Sequence, residues 1–216
     1  ARYAINKAGG TQCIGAATSE TPEGPFQPVG DKPLICQVDA GGSIDPATFV
    51  DDDGKTYLLW KNDGNSGGGQ TFLYIQPVSA DGLTLEGEPT RLLTADEAWE
   101  GVLVEAPTLW KRDGKYYLFY SANAYNTPRY AVGYAVAENV LGPYEKVEGP
   151  FLKSNIGAGI VGPGGQDIVV GPDGDTWFLF HSWSATGYRF MDLVPLTWED
   201  GRPALGELSR APQPAP

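Results

Sequence analysis

One histidine and two cysteines are all the imidazole and thiol ligands that 216 residues offer. Two Cys and one His do not make the spaced set that a zinc site needs. Basic residues are scarce as well, with Lys plus Arg at 15 against 27 Asp plus Glu, a net charge of −12 with the histidine neutral. A field of that sign opposes nucleic acid and anionic membranes, and suits a neutral ligand such as a carbohydrate. No apolar run is long enough to span a bilayer. No signal segment is visible in these residues, so secretion and cytoplasmic residence both stay open. No stretch sustains a 3.6-residue apolar period, which argues against an α/β fold.

Glycine (29) and proline (18) are plentiful and punctuate many short strands, the composition of an all-β chain. Cys13 and Cys36 flank the outer strands of the first unit and are either a disulfide or two buried thiols. The clearest signal is a repeat. Asp53-Gly54, Asp113-Gly114 and Asp173-Gly174 are spaced by 60 residues, and eight residues before them stand Asp45, Glu105 and Gly165. The segments SIDPATFVDDDGKTYLLW, LVEAPTLWKRDGKYYLFY and PGGQDIVVGPDGDTWFLF align without gaps. Each reads as a hairpin of β-branched and aromatic residues around an Asp-Gly turn. Further strand-like runs follow, such as 71–79 and 129–137. Four short strands per 60 residues predict the blades of a β-propeller, with a β-sandwich as the alternative.

The register assigns 39–98, 99–158 and 159–216 to whole blades and 1–38 to the outer half of another, because GAATSETPEGPF matches GYAVAENVLGPY at an offset of 118. The reading is one domain of about three and a half blades. An open stack of that kind exposes strand edges, so a further segment or chain is expected to cover them.

In a propeller the innermost strands start at the channel rim, which brings Asp45 and Glu105 together. Neighbouring carboxylates repel, raising the pKa of one of them, and a protonated carboxyl is what glycosidic cleavage needs. His181 is either a hydrogen-bonded core residue or a channel support. Asp51, Asp52 and Asp53 read as turn residues. The loops 61–70, 94–104, 121–128 and 182–188 should open on the face of the carboxyl pair, where Trp99, Tyr125 and Trp183 could stack on sugar rings. Gly67, Gly68 and Gly69 read as a loop tip, since no strand-to-helix context makes them a phosphate cradle.

At this point the residues resemble a known family. SIDPATFVDDDGKTYLLW and VEAPTLWKRDGKYYLFYS are similar to two blades of glycoside hydrolase family 43, CIGAATSETPEGPF to the outer half of its second blade, and YRFMDLVPLTWEDGRP to its last. The resemblance spans residues 1 to 205 and implies a five-bladed propeller. The implied activity is inverting hydrolysis of α-L-arabinofuranosides or β-D-xylosides in plant glycans. An endo-acting arabinanase is the alternative within enzymes, and a non-catalytic sugar-binding propeller the alternative outside them. Carried over, Glu105 is the general acid, Asp45 orients it and raises its pKa, and Arg189 contacts substrate or carboxylate. The family's general base lies in a first blade that the register places before residue 1, so an N-terminal fragment or a second copy is expected to supply it. Asp39 and Asp167 are the substitutes within the chain. Where many members carry Gly-His, this chain has Gly164-Gly165-Gln166, with Gln166 as the substitute. The resemblance implies no required cofactor and leaves room for a structural calcium.

Overall fold

The structure is a computed structural model that describes residues 2–8, 10–184 and 186–208. Its strands form four antiparallel sheets. The first holds β1 (Arg2–Ala8), β2 (Thr11–Thr18) and β3 (Gln27–Pro28). The second holds β4 (Ser43–Val50), β5 (Thr56–Asn62), β6 (Phe72–Val78) and β7 (Thr90–Thr94). The third holds β8 (Val104–Arg112), β9 (Lys115–Ala122), β10 (Ala131–Ala137) and β11 (Glu145–Lys146). The fourth holds β12 (Gly164–Val170), β13 (Thr176–Trp183), β14 (Arg189–Glu199) and β15 (Arg202–Leu205). Where the sequence reading gives residues 1–38 half a blade, they form three strands. The fold is all-β, and the only helical elements among the described residues are short 3-10 turns.

Each four-stranded sheet is a blade whose strands follow in chain order, and β4, β8 and β12 line a shared axial cavity of about 1050 Å³. Three apolar layers hold the blades together. Ile14 and Ile35 pack with Leu58, Trp60 and Tyr74 between the first two sheets. Leu59, Ile75, Leu109 and Leu118 join the second to the third. Phe119, Phe178, Phe180 and Val194 join the third to the fourth. Burying side chains of this size contributes roughly 1.5–3 kcal/mol each. Cys13 and Cys36 are disulfide-bonded, with Cα atoms 4.7 Å apart, beside the backbone bridge between Ile14 and Ile35.

The repeat itself needs one correction. Every inner strand carries a bulge near its start, between Ile44 and Ala47, Glu105 and Thr108, and Gly164 and Asp167. Residue Asp45, Ala106 or Gly165 sits there at positive φ. The structural equivalents are therefore Asp45, Ala106 and Gly165 at one position, and Ile44, Glu105 and Gly164 at the position before it. The ungapped alignment that equates Asp45 with Glu105 is out by one residue. The cause is turn length. Asp113 and Gly114, both at positive φ, close β8 to β9 as a two-residue turn, the geometry Asp-Gly favours. The other two hairpins close around three residues, inside the Asp51–Lys55 and Gly171–Asp175 backbone bonds. The residue that the second turn lacks is made up before β8: Lys61 to Glu105 spans one position more than Ser121 to Gly164.

Candidate active site

Glu105 lies at the start of β8, partly buried, with both carboxylate oxygens engaged. The Tyr130 hydroxyl donates to Oε1 at 2.6 Å, and Lys61 Nζ donates to Oε2 at 3.0 Å. Lys61 is the penultimate residue of β5, with its side chain only 1% exposed, and its ammonium also donates to Asn65 Oδ1 at 2.8 Å and faces Asp63 Oδ1 at 3.9 Å. A buried ammonium persists only when paired in this way. Asp63 in turn accepts a 2.9 Å bond from Gln12 Nε2 on β2, so three sheets converge on one charge.

Asp45 sits on the bulge of β4, and its Oδ2 accepts the amide of Ala106 at 2.9 Å. The sequence reading assigns the raised pKa to Glu105. In the structure, burial and then the Glu105 carboxylate push Asp45 up to about 6, against the lowering effect of Lys61 and the Ala106 amide.

Tyr130 is held by what is absent around it. A Cβ at Gly164 would come within 2.0 Å of its Cε1, and a Cβ at Gly165 would reach 2.8 Å from His181 Cδ2. The two glycines admit two stacked rings, Tyr130 and His181, with centroids 5.6 Å apart and planes at 14°. His181 is half-buried and stands at the repeat position of Lys61 and Ser121. Burial, and next the charge of Arg189, hold its pKa below the usual imidazole value.

Several expected contacts fall elsewhere. Gln166 does not offer its amide to the channel: it is 4% exposed, donates to the Ala106 carbonyl at 2.6 Å and accepts from Ser121 Oγ at 2.8 Å. It clamps the third blade to the fourth. Trp99 is not a sugar platform either. It stacks on Tyr120 at 6.1 Å and fills the space that a side chain at Gly133 would take. Its neighbour Glu100 is buried, accepting the Tyr120 hydroxyl at 2.6 Å and pairing with Lys146. Trp183 and Tyr125 do sit together at the rim. Trp183 Nε1 donates to the Tyr125 carbonyl at 2.7 Å, and the exposed Arg189 guanidinium lies 5.4 and 5.5 Å from the Tyr125 and Trp183 rings. Asp167 is exposed on β12, bonded to the amide of Ile168, and Asp39 is exposed in the turn before β4. No group of three or more His, Cys, Asp or Glu able to hold a metal ion occurs among the described residues.

Sequence reasoning misses Lys61 and Tyr130. Lys61 had a signal, a lysine inside TYLLWKN at the point where the other copies carry Ser121 and His181. Tyr130 reads as an ordinary core aromatic.

A propeller with paired acids at the inner ends of adjacent blades belongs to a class whose members are recognised by that pattern. The chain is a member of glycosyl hydrolases family 43, whose profile matches residues 2–203. It is similar to a beta-D-galactofuranosidase, xynD, of Aspergillus niger, 30% identical over 171 residues, 78% of this chain and 46% of that one. It is also 30% identical over 164 residues to alpha-L-arabinofuranosidase 43 of Humicola insolens, 71% of this chain and 33% of that one. Among solved structures, a thermostable family-43 glycoside hydrolase superposes with a TM-score of 0.89 at 33% identity, over 99% of this chain and 73% of the other. The chain thus spans less than half the length of these two relatives.

Proposed function

We propose that the protein is a glycoside hydrolase that removes α-L-arabinofuranosyl or β-D-xylosyl units from plant cell-wall polysaccharides with inversion. The observation that carries this reading is the carboxyl pair. Glu105, with both oxygens held, and Asp45, its electrostatic neighbour, sit at the inner ends of adjacent blades. Glu105 gives its proton to the leaving oxygen while a base-activated water attacks the sugar carbon from the opposite side. Asp45 orients Glu105 and tunes the pair, and Arg189 binds the sugar or its attacking base.

The base belongs, in this reading, to a further blade carried by an N-terminal fragment or a second copy. Its support is the outer face of the fourth sheet. There Val169 lies opposite Trp177 and Leu179 opposite Leu193, and Met191 is 81% exposed. Covering such a face is favoured by roughly 25 cal/mol per Å².

The test is Glu105→Gln. Hydrolysis of unactivated glycosides should fall about 10²–10⁴-fold, and substrates with good leaving groups should lose less. Equal losses would remove the acid role. Proton NMR of the first product formed should show the inverted anomer.

A further inference from the structure

Lys61 and Tyr130 hold different oxygens of Glu105, and the two donors differ in kind. We infer that they are positioning residues that fix where the acid proton sits: Lys61 reserves Oε2 as an acceptor, and the proton is delivered from Oε1 beside Tyr130. The inference rests on Glu105 being the acid, as proposed above.

An ammonium has three donors and no acceptor, so a proton on the oxygen facing it would have nothing to meet but another donor. The Lys61 side chain is fully buried and shared with Asn65 and Asp63, so it stays in place. A phenol both donates and accepts. Tyr130 donates to Oε1 while Glu105 is a carboxylate, and can turn when Oε1 is protonated. In the reaction the proton passes from Oε1 to the glycosidic oxygen, and the electron pair of the breaking carbon–oxygen bond stays with that oxygen. Glu105 is left as a carboxylate that accepts from both residues again. Each donor is thus strongest in the state the reaction produces.

The groups that face Glu105 are few: Asp45 from β4, Lys61 from β5 with Asp63 beyond it, Tyr130 at the entry to β10, and His181 from β13 with Arg189 behind it. Among the described residues, Lys61 and Tyr130 bond it directly through side chains.

The experiment is an NMR titration of Glu105 in protein labelled at the glutamate carboxyl carbon, beside pH–rate profiles of the same samples. Lys61→Met and Tyr130→Phe each remove a donor to the carboxylate and should raise the Glu105 midpoint by about one pH unit, the larger shift belonging to the lost charge. The basic limb of the rate profile should rise with it. Asp45→Asn should move both the other way. Tyr130→Phe keeps the ring against His181, so it decides the matter should Lys61→Met fail to fold. Unmoved midpoints in a folded Tyr130→Phe protein overturn the inference, since a structural role lowers only the melting temperature. If Glu105→Gln abolishes cleavage while those midpoints stay put, this inference alone is lost. If Glu105→Gln still cleaves unactivated glycosides, the acid reading falls and the inference with it.

Discussion

Asp45 Oδ2 accepts its hydrogen bond from the amide of Ala106, the residue that follows Glu105. The bond ties the inner ends of two blades and keeps a partly buried carboxyl close to a second one. Because Asp45 is lifted from 3.8 to about 6, the native state binds its proton more tightly than the unfolded chain does. Stability should therefore fall as pH rises through that window and level off above it. Asp45→Asn keeps an acceptor for Ala106 and removes the charge. It should flatten the fall and raise stability at neutral pH by about 1–3 kcal/mol. Urea denaturation on either side of the window measures both, and a wild-type stability that climbs across it would contradict the burial account.

Gly164→Ala should disturb Glu105 without touching it. The added carbon meets Tyr130 at 2.0 Å, and a displaced ring takes its hydroxyl away from Oε1. Turnover of unactivated substrates should drop about tenfold to a hundredfold, the scale of an ångström's misplacement. In a Tyr130→Ala background the same change should cost little more, because the obstacle is gone. Full additivity in that double-mutant cycle would mean that Gly164 acts by another route.

The two tryptophans proposed from sequence should separate. Trp99→Ala removes a ring packed on Tyr120 and Gly133 and should cost about 3 kcal/mol of stability, with oligosaccharide affinity unchanged. Trp183→Ala should weaken oligosaccharide binding at the rim and shift the melting temperature less. Calorimetric titration paired with thermal melts tells them apart, and the reverse pattern would exchange their roles.

For Arg189 the expectation is a functional loss with the fold intact. Its guanidinium is exposed between Tyr125 and Trp183, so Arg189→Ala should lower kcat/KM by about a hundredfold or more and leave the melting temperature nearly unchanged. Arg189→Lys should not restore it, since an ammonium lacks the planar face that stacks on both rings. A variant that melts early but turns over normally per folded molecule would make Arg189 structural.

How much of this was legible beforehand follows from what each residue depends on. The Asp-Gly turns and the aromatic alternation are local, and they reveal hairpins and blades directly. Asp45 and Glu105 stood out as acids near proline at strand entries. Their one-residue offset does not, because a shorter turn and a longer segment between β5 and β8 cancel in the spacing. Lys61 is visible in the register beside Ser121 and His181, but by sequence it opens the loop 61–70. Tyr130 could not be read at all, since its role is set by Gly164, 34 positions away on another blade. Trp99 lies in a loop by sequence, yet that loop folds back over Gly133 into the third blade.

Gly164 bears on how a duplicated architecture comes to hold a single reactive centre. Identical copies would place the same side chain around the axis at every turn of the pattern, and no copy could offer its neighbour room. Here one copy supplies Glu105, the next position of another supplies Asp45, and a third yields its volume at Gly164. The arrangement depends on a position without a side chain as much as on the acids themselves. Placing a side chain at Gly164, as a uniform repeat would, should dismantle it.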